Sequence, residues 1–158
     1  MLGPGGCTTM TDETADADST MGAGKTLLLV DDNEDDRFLA RLALGRVASG
    51  LEIAEVADGR AALDWLRAAE DPPALVLLDL KMPRLDGAGV LGERRADARL
   101  RPIPVAVFTT SVSEEDVKRS YDLGASVYLP KPDSVDRLEE MLGDLMRVYL
   151  KHARPATP

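Results

Sequence analysis

Acidic, hydroxyl and amine side chains stand at the ends of four short apolar segments of this chain. Asp31 and Asp32 follow the first segment, Asp79 lies near the end of the third, and Thr109 and Lys131 stand at the ends of the fourth and fifth. Carboxylates held close together repel, so they call for a hard divalent cation with oxygen ligands, Mg²⁺ above all. An aspartate beside a metal ion, a hydroxyl and a lysine is equipped to attack a phosphoryl group and to hold the product.

The apolar segments predict five strands, each followed by a helix. The predicted strands cover residues 26–30, 51–56, 74–80, 103–111 and 126–132, and the predicted helices cover 37–48, 59–70, 87–98, 113–124 and 134–151. Strict alternation of strand and helix indicates an α/β fold with a doubly wound parallel sheet and helices on both faces. In such sheets the functional site lies beyond the carboxyl ends of the strands, where the polar side chains stand.

Two helices carry their apolar residues at helical spacing. In the first helix these residues are Phe38, Leu39, Leu42 and Val47. In the last helix they are Leu138, Met141, Leu142, Leu145 and Tyr149. The fourth helix opens with Ser113, a predicted N-cap, and closes at Gly124.

Each of the polar residues at the strand ends has an ordinary structural explanation when taken singly. Paired acids after a strand often only cap the next helix, a threonine favours a strand, and Lys-Pro is common in turns. Their joint occurrence at four strand ends favours a common site.

Length, net charge and cysteine content limit the classes of protein to which the chain can belong. The chain has 158 residues, enough for one domain, and a formal net charge of −9. Such a charge disfavours nucleic acid and anionic membranes as partners, and no stretch is long and apolar enough to span a bilayer. The single cysteine, Cys7, and the absence of a secretory signal favour the cytoplasm.

The two ends of the chain differ in amino-acid composition from the middle. Residues 1–24 are rich in Gly, Thr and Asp, without an aromatic or basic residue, and predict a disordered acidic tail. Residues 152–158 are interpreted as a C-terminal tail, in which the lone His152 is a solvated residue.

A nucleotide-binding site is the alternative raised by the stretch GAGKT, residues 22–26. A P-loop needs its first glycine where this chain has Ser19, and its Lys-Thr pair must open a helix. Here Lys25 and Thr26 precede a strand instead, so backbone amides cannot form a phosphate cradle at a helix N-terminus. The stretch is interpreted as a flexible lead-in.

Four blocks of the chain resemble the signature blocks of the receiver domain of two-component response regulators. They are LLLVDDNEDDR, LVLLDLKMPRLDG, PVAVFTTS and GASVYLPKP. The separations also match, with 30 residues from Asp79 to Thr109 and 22 from Thr109 to Lys131. The resemblance implies a receiver domain over residues 25–151, with a flavodoxin-like sheet in the strand order 2-1-3-4-5.

The resemblance also implies a role for each matched acid. Asp79 would be the phosphoryl acceptor. Asp32 would bind Mg²⁺ directly, Asp31 would bind it through water, and the backbone carbonyl of Lys81 would complete the protein ligands.

The remaining matched residues would act on the phosphoryl group and on the switch. Thr109 would hydrogen-bond the phosphoryl group, and Lys131 would pair with its oxygen, aimed by a cis bond to Pro132. Tyr128 matches the aromatic switch position, whose ring turns inward when Thr109 moves toward the phosphoryl group. The family further implies a sensor histidine kinase as the phosphodonor, and a signalling protein rather than a turnover enzyme.

A narrower resemblance is to single-domain regulators paired with bacterial and cyanobacterial phytochromes. It implies output through protein contacts, since no output domain follows, and a homodimer through the fourth helix, fifth strand and fifth helix. The outward side chains of that face would include Tyr121, Met146, Val148 and Tyr149.

Two alternative functions are compatible with an α/β fold that carries acids at its strand ends. A pseudo-receiver, an interaction module that never takes phosphate, would have no need of the full set of five site residues. A Mg²⁺-dependent phosphatase with an aspartyl intermediate needs Asp-x-Asp after its first strand, and Asp31-Asp32-Asn33 lacks it.

One position departs from the family pattern. Receivers usually carry Ala or Gly where this chain has Thr110, and Lys81 and Ser111 flank the path of the attacking water. These crowding positions predict a long-lived phosphoryl state.

Overall fold

The computed structural model describes residues 21–152. Within this range five strands alternate with five helices, which confirms the predicted α/β class. The strands are β1 (Thr26–Val30), β2 (Glu52–Val56), β3 (Leu75–Leu78), β4 (Val105–Thr109) and β5 (Val127–Pro130). The helices are α1 (Glu34–Val47), α2 (Gly59–Ala68), α3 (Gly87–Ala96), α4 (Glu114–Asp122) and α5 (Val135–Met146), and a π-helical segment (Arg147–His152) continues α5.

The five strands form one parallel sheet in the predicted order β2-β1-β3-β4-β5. The last residue of β1, Val30, lies beside Val56 on one side and Leu78 on the other. Thr109, at the end of β4, lies beside Pro130 of β5. The carboxyl ends of the strands therefore meet at one edge of the sheet, with the ends of β1 and β3 adjacent.

Helices cover both faces of the sheet and create two hydrophobic layers. Leu27 and Leu29 of β1 point into the layer beneath α1 and α5, whereas Leu28 and Val30 point into the layer beneath α2 and α3. A strand buried on both faces can carry an apolar side chain at every position, and this is why β1 and β3 are continuous apolar runs. At about 25 cal/mol per Å² of apolar surface, these two layers provide most of the favourable free energy of folding.

Every described helix from α1 to α5 begins with a side-chain N-cap. In each one a side-chain oxygen of the capping residue accepts a hydrogen bond from the amide three residues later, and the caps are Asn33, Asp58, Asp86, Ser113 and Ser134. The predicted cap at Ser113 is thus observed. Such caps satisfy amides that lack an intrahelical partner, and they define where each helix leaves the loop beyond its strand.

Helix α1 buries a different face from the one that its larger apolar residues suggest. Phe38, Leu39 and Leu42 are 48%, 39% and 47% exposed. The buried side chains of α1 are Ala40, Ala43 and Leu44. Alanine allows the helix backbone to approach the sheet and α5 closely, so Ala40 and Ala43 face inward together with Leu44. The helix also begins at Glu34, three residues earlier than predicted, because Asn33 caps it.

The described ends of the chain pack against the core. Residues 21–24 form a turn closed by a hydrogen bond from the amide of Lys25 to the carbonyl of Gly22, and Met21 contacts the layer beneath α1 and α5. The amine of Lys25 donates to the carbonyl of Leu150. The predicted tails lie outside the described residues over 1–20 and 153–158, as does Cys7, and the side chain of His152 is not described. Across residues 21–152 no helix combines the length and apolarity needed to cross a membrane.

Candidate functional site

The ends of β1 and β3 bring three carboxylates together. One carboxylate oxygen from each of Asp31, Asp32 and Asp79 lies within 4.8 Å of the others. Asp31 and Asp79 are 3% and 8% exposed, whereas Asp32 faces solvent. These acids meet because β1 and β3 are neighbours in the sheet and end at the same level. Lys25 of the GAGKT stretch lies at the opposite end of β1, away from this site.

Lys131 reaches the same site from the end of β5. Its ammonium lies 2.7 Å from a carboxylate oxygen of Asp31, 2.8 Å from one of Asp36 and 3.4 Å from one of Asp79. Only 10% of the lysine side chain is exposed. An ammonium has three N–H donors, so three carboxylates can use all of them.

Backbone hydrogen bonds hold these residues in place just beyond the strands. The amide of Asp31 donates to the carbonyl of Val56, and the amide of Asp79 donates to the carbonyl of Val30. The amide of Lys131 donates to the carbonyl of Thr109. The side chains of Asp31, Asp79 and Lys131 are therefore carried by residues bonded to a neighbouring strand, which gives the site a rigid frame.

Local contacts orient the Asp31 carboxylate and its backbone. One carboxylate oxygen of Asp31 accepts a hydrogen bond of 2.9 Å from the amide of Asn33, while the other faces Lys131. The guanidinium of Arg37 donates to the Asp31 carbonyl at 2.7 Å and is itself paired with Glu55. The loop between β1 and α1 is thus held at both its side chains and its backbone.

Burial and the close contacts shift the pKa values of Lys131 and Asp31. Burial alone would lower the pKa of the Lys131 ammonium, but hydrogen bonds to Asp31 and Asp36, with the charges of Asp79 and Asp31, outweigh it and raise that pKa above its ordinary value. Burial raises the pKa of the Asp31 carboxyl; Lys131 and the amide of Asn33 oppose this effect, and the charge of Asp79 adds to it. The lysine stays cationic, but its single positive charge does not balance the carboxylates clustered around it.

Thr109 and Tyr128 are linked through one loop residue. Thr109 is fully buried, and its hydroxyl oxygen accepts a hydrogen bond of 3.4 Å from the amide of Ser111. The Tyr128 hydroxyl donates to the Ser111 carbonyl at 2.9 Å, and the Ser111 hydroxyl donates to Asp116 in the first turn of α4. The Tyr128 amide in turn donates to the hydroxyl of Tyr121. A shift of the loop after β4 would therefore change hydrogen bonds to both the Tyr128 ring and helix α4.

Two expectations about site geometry and the dimer face were wrong. The Lys131–Pro132 bond is trans, as are the other peptide bonds of the described chain. The four-carbon side chain of Lys131 reaches the carboxylates from this trans backbone. Met146, expected on the outward face, is fully buried, because it packs in the layer between α5 and the sheet.

Asp36 is the site residue that sequence patterns did not single out. It lies in the first turn of α1, where an acid is explained by the helix dipole alone. A signal was nevertheless present, because Asn33 is a preferred N-cap residue, and capping there places Asp36 beside the loop that carries Asp31 and Asp32. Lys81, two residues past Asp79, is exposed in the loop before α3, and its carbonyl as a metal ligand stays a prediction.

The donor set suits a hard divalent cation. Three carboxylates supply oxygen ligands only, and Asp32 opens the cluster to solvent. A cation here would offset the mutual repulsion of Asp31 and Asp79 that burial intensifies. The residues present therefore fit Mg²⁺ or Mn²⁺, and Asp79 is one of the three groups that could supply a ligand oxygen.

Comparison with known proteins agrees with this geometry. Residues 27–143 match the family model described as the response regulator receiver domain. The chain is 38% identical over 136 residues to a protein of Methanothrix harundinacea described as a probable methanogenesis regulatory protein, FilR2, covering 84% of this chain and 88% of that one.

Two solved structures share both fold and sequence with this chain. The phosphorylated cyanobacterial phytochrome response regulator RcpA has a TM-score of 0.79 at 35% identity, covering 85% of this chain and all of that one. The Mn²⁺-bound response regulator Rcp1 of Synechocystis has a TM-score of 0.76 at 33% identity, covering 84% and 99%. Family match, strand order and the acidic site agree, and the chain belongs to the response regulator receiver domain family of two-component systems.

Proposed function

We propose that this chain is a stand-alone response regulator that accepts a phosphoryl group on Asp79 from a sensor histidine kinase. The observation that carries the proposal is the placement of Asp79. Asp79 is 8% exposed; its carboxylate lies in one cluster with those of Asp31 and Asp32, and the Lys131 ammonium is 3.4 Å away. A carboxylate so placed is near both a candidate cation site and a fixed positive charge.

The proposed reaction is a transfer from phosphohistidine to aspartate. A carboxylate oxygen of Asp79 attacks the phosphorus and forms a P–O bond, while the P–N bond breaks and its electron pair returns to the donor imidazole. Lys131 would donate to a phosphoryl oxygen, and the Thr109 hydroxyl would donate to another. Mg²⁺, held by Asp31, Asp32, Asp79 and the Lys81 carbonyl, would neutralise charge on the oxygens of the transferring group.

The signal would leave the site through the contacts around Ser111. If Thr109 moves toward the phosphoryl group, the hydrogen bond from the Ser111 amide to the threonine oxygen would change with it. The carbonyl of Ser111 accepts the Tyr128 hydroxyl, and the hydroxyl of Ser111 donates to Asp116 of α4. The new charge at Asp79 would therefore shift the positions of both Tyr128 and α4. We therefore propose Thr109 and Tyr128 as the switch, with a signalling role and only slow self-dephosphorylation rather than turnover.

The partners follow from the family and its relatives. RcpA and Rcp1 are both response regulators, and RcpA is described as the regulator of a cyanobacterial phytochrome. By analogy, we propose that the kinase partner of this chain is of the phytochrome type and that the two meet in the cytoplasm. Output would pass through protein contacts, with a homodimer through α4, β5 and α5. The exposure of Tyr121 in α4 (46%) and of Val148 in the segment after α5 (51%) supports this proposal. A monomeric mass at high micromolar concentration, with and without a phosphoryl mimic, would contradict the dimer.

Intact mass spectrometry after incubation with acetyl phosphate tests the chemistry. We expect a single phosphoryl adduct that requires Mg²⁺ and that disappears in Asp79→Asn. Asp71→Asn, which removes an exposed acid between α2 and β3, is the matched control and should keep the adduct. An adduct that survives in Asp79→Asn would place the chemistry elsewhere. No adduct under any condition would favour the pseudo-receiver, an interaction module that keeps the fold without the phosphate.

A further inference from the structure

We infer that Asp36 is a positioning residue that competes with the phosphoryl group of Asp79 for the Lys131 ammonium. The inference rests on the function proposed above. It starts from the unequal contacts of the lysine, whose nitrogen is 2.8 Å from Asp36 but 3.4 Å from Asp79. The ammonium is thus held nearer to the first turn of α1 than to the acceptor.

The position of Asp36 is set by the local structure rather than by the lysine. Its amide donates to the side-chain oxygen of Asn33 at 3.0 Å, and the amide of Asn33 donates to Asp31 at 2.9 Å. The Lys131 backbone is likewise bonded to Thr109 at 2.7 Å. Both ends of the Asp36–Lys131 contact therefore start from rigid backbone, and the side chains alone decide how it changes.

Asp36 differs from the other two partners of the lysine because it lies outside the cluster fitted for a cation. Asp31 and Asp79 belong to that cluster, so a bound cation would share their charge. Asp36 would then remain the acceptor whose full charge is directed at Lys131. When the phosphoryl group arrives, its oxygens and the Asp36 carboxylate compete for the same three N–H donors.

Removal of the Asp36 charge should release the lysine toward the phosphoryl group. We expect Asp36→Asn to bind beryllofluoride, a phosphoryl mimic, about fivefold more tightly at saturating Mg²⁺, the low end of typical coupling between sites. The low end applies because the Asp36 side chain is 35% exposed and solvent screens its charge. The phosphoryl adduct on Asp79 should also be lost more slowly, by a similar factor.

The chain offers a close control in the same helical turn. Asp35→Asn removes the same charge from the first turn of α1, where the side chain is exposed and lies outside the contacts of Lys131. Asp35→Asn therefore measures how the loss of one negative charge from this turn affects beryllofluoride binding without any contact to Lys131. Asp36→Glu keeps the charge and should stay within a factor of about two of the wild type, the scatter usual for independent changes.

The metal-free protein gives a second readout that does not depend on phosphorylation. An ammonium held by three carboxylates exchanges its protons slowly, so the ¹⁵N-lysine NMR signal of Lys131 should be visible in the wild type and in Asp35→Asn. In Asp36→Asn it should shift and exchange faster. An unchanged signal, or beryllofluoride binding equal to that of Asp35→Asn, overturns the inference. A wild type that binds no beryllofluoride overturns the proposed function as well.

Discussion

Gly87→Ala should separate helix α3 from the backbone that carries the phosphoryl acceptor. Gly87 is the first residue of α3, and its amide donates to the carbonyl of Leu80 at 2.9 Å. A Cβ atom added there would lie 2.5 Å from the carbonyl oxygen of Asp79 and 2.7 Å from the Cα of Leu80. Ordinary contacts begin at 3.4 Å, so the two segments must move apart by about 0.9 Å.

The two nearest atoms that the new methyl group meets belong to the main chain, which cannot turn away as the third, a methyl carbon of the Leu80 side chain, can. The Asp79 amide is also bonded to Val30 of β1, so a shift of Asp79 strains the sheet edge. Overpacking of this kind typically costs about 1–3 kcal/mol of the free energy of unfolding. A displacement of about 1 Å at a reacting group can lower its rate about a hundredfold, so the rate of phosphorylation should fall as well.

Gly92→Ala in the same helix is the matched control. A Cβ atom at Gly92 meets nothing within 4 Å, so alanine should stabilise the helix by about 0.5–1 kcal/mol. Guanidinium unfolding followed by circular dichroism gives the two free energies, and the rate of adduct formation with acetyl phosphate gives the functional effect. If Gly87→Ala is as stable as Gly92→Ala, or takes up phosphate as fast as the wild type, the reasoning about this close approach is wrong.

Three further substitutions test other parts of the structure. Arg94→Met should lower the free energy of unfolding by about 2–4 kcal/mol, because the buried guanidinium donates to the carbonyls of Ile103, Arg101 and Gly124. Arg95 is exposed, so Arg95→Met, measured in the same denaturant series, should lower the free energy of unfolding by less. Arg84→Gly should raise the free energy of unfolding by about 1 kcal/mol, since φ of 68° strains a non-glycine residue more than the ion pair to Asp58, whose arginine side chain is 74% exposed, stabilises it. A lower midpoint of thermal unfolding would contradict this. Thr110→Ala should speed loss of the phosphoryl adduct several-fold in a time course of intact mass, and an unchanged loss within seconds would exclude the predicted long-lived state.

Much of the fold follows from local patterns in the chain. The continuous apolar runs at β1 and β3 predict strands buried on both faces, and the structure places both in the middle of the sheet. Alternation of strand and helix requires parallel pairing, and parallel strands end together. Asp31 and Asp79 were therefore expected to meet on sequence grounds, and they do.

Other features depended on which neighbour covers each face. Periodicity shows that Phe38 and Leu42 lie on one side of α1, but the sheet and α5 pack against the alanine side instead. Met146 is expected on the outward side of the last helix, yet it is fully buried in the layer between α5 and the sheet. A helical pattern reports which residues share a face, whereas burial depends on the shape of the surface opposite.

The sequence alone thus determined the elements, their alternation and the residue types at the strand ends, because these depend on short-range patterns. The pairing of Lys131 with Asp36 was decided only in the tertiary structure, since the two are separated by 95 positions. The order of the strands and the cap at Asn33 bring them to 2.8 Å. No local pattern reports such a distance, because it is set jointly by the sheet and by the start of a helix on the other side of the site.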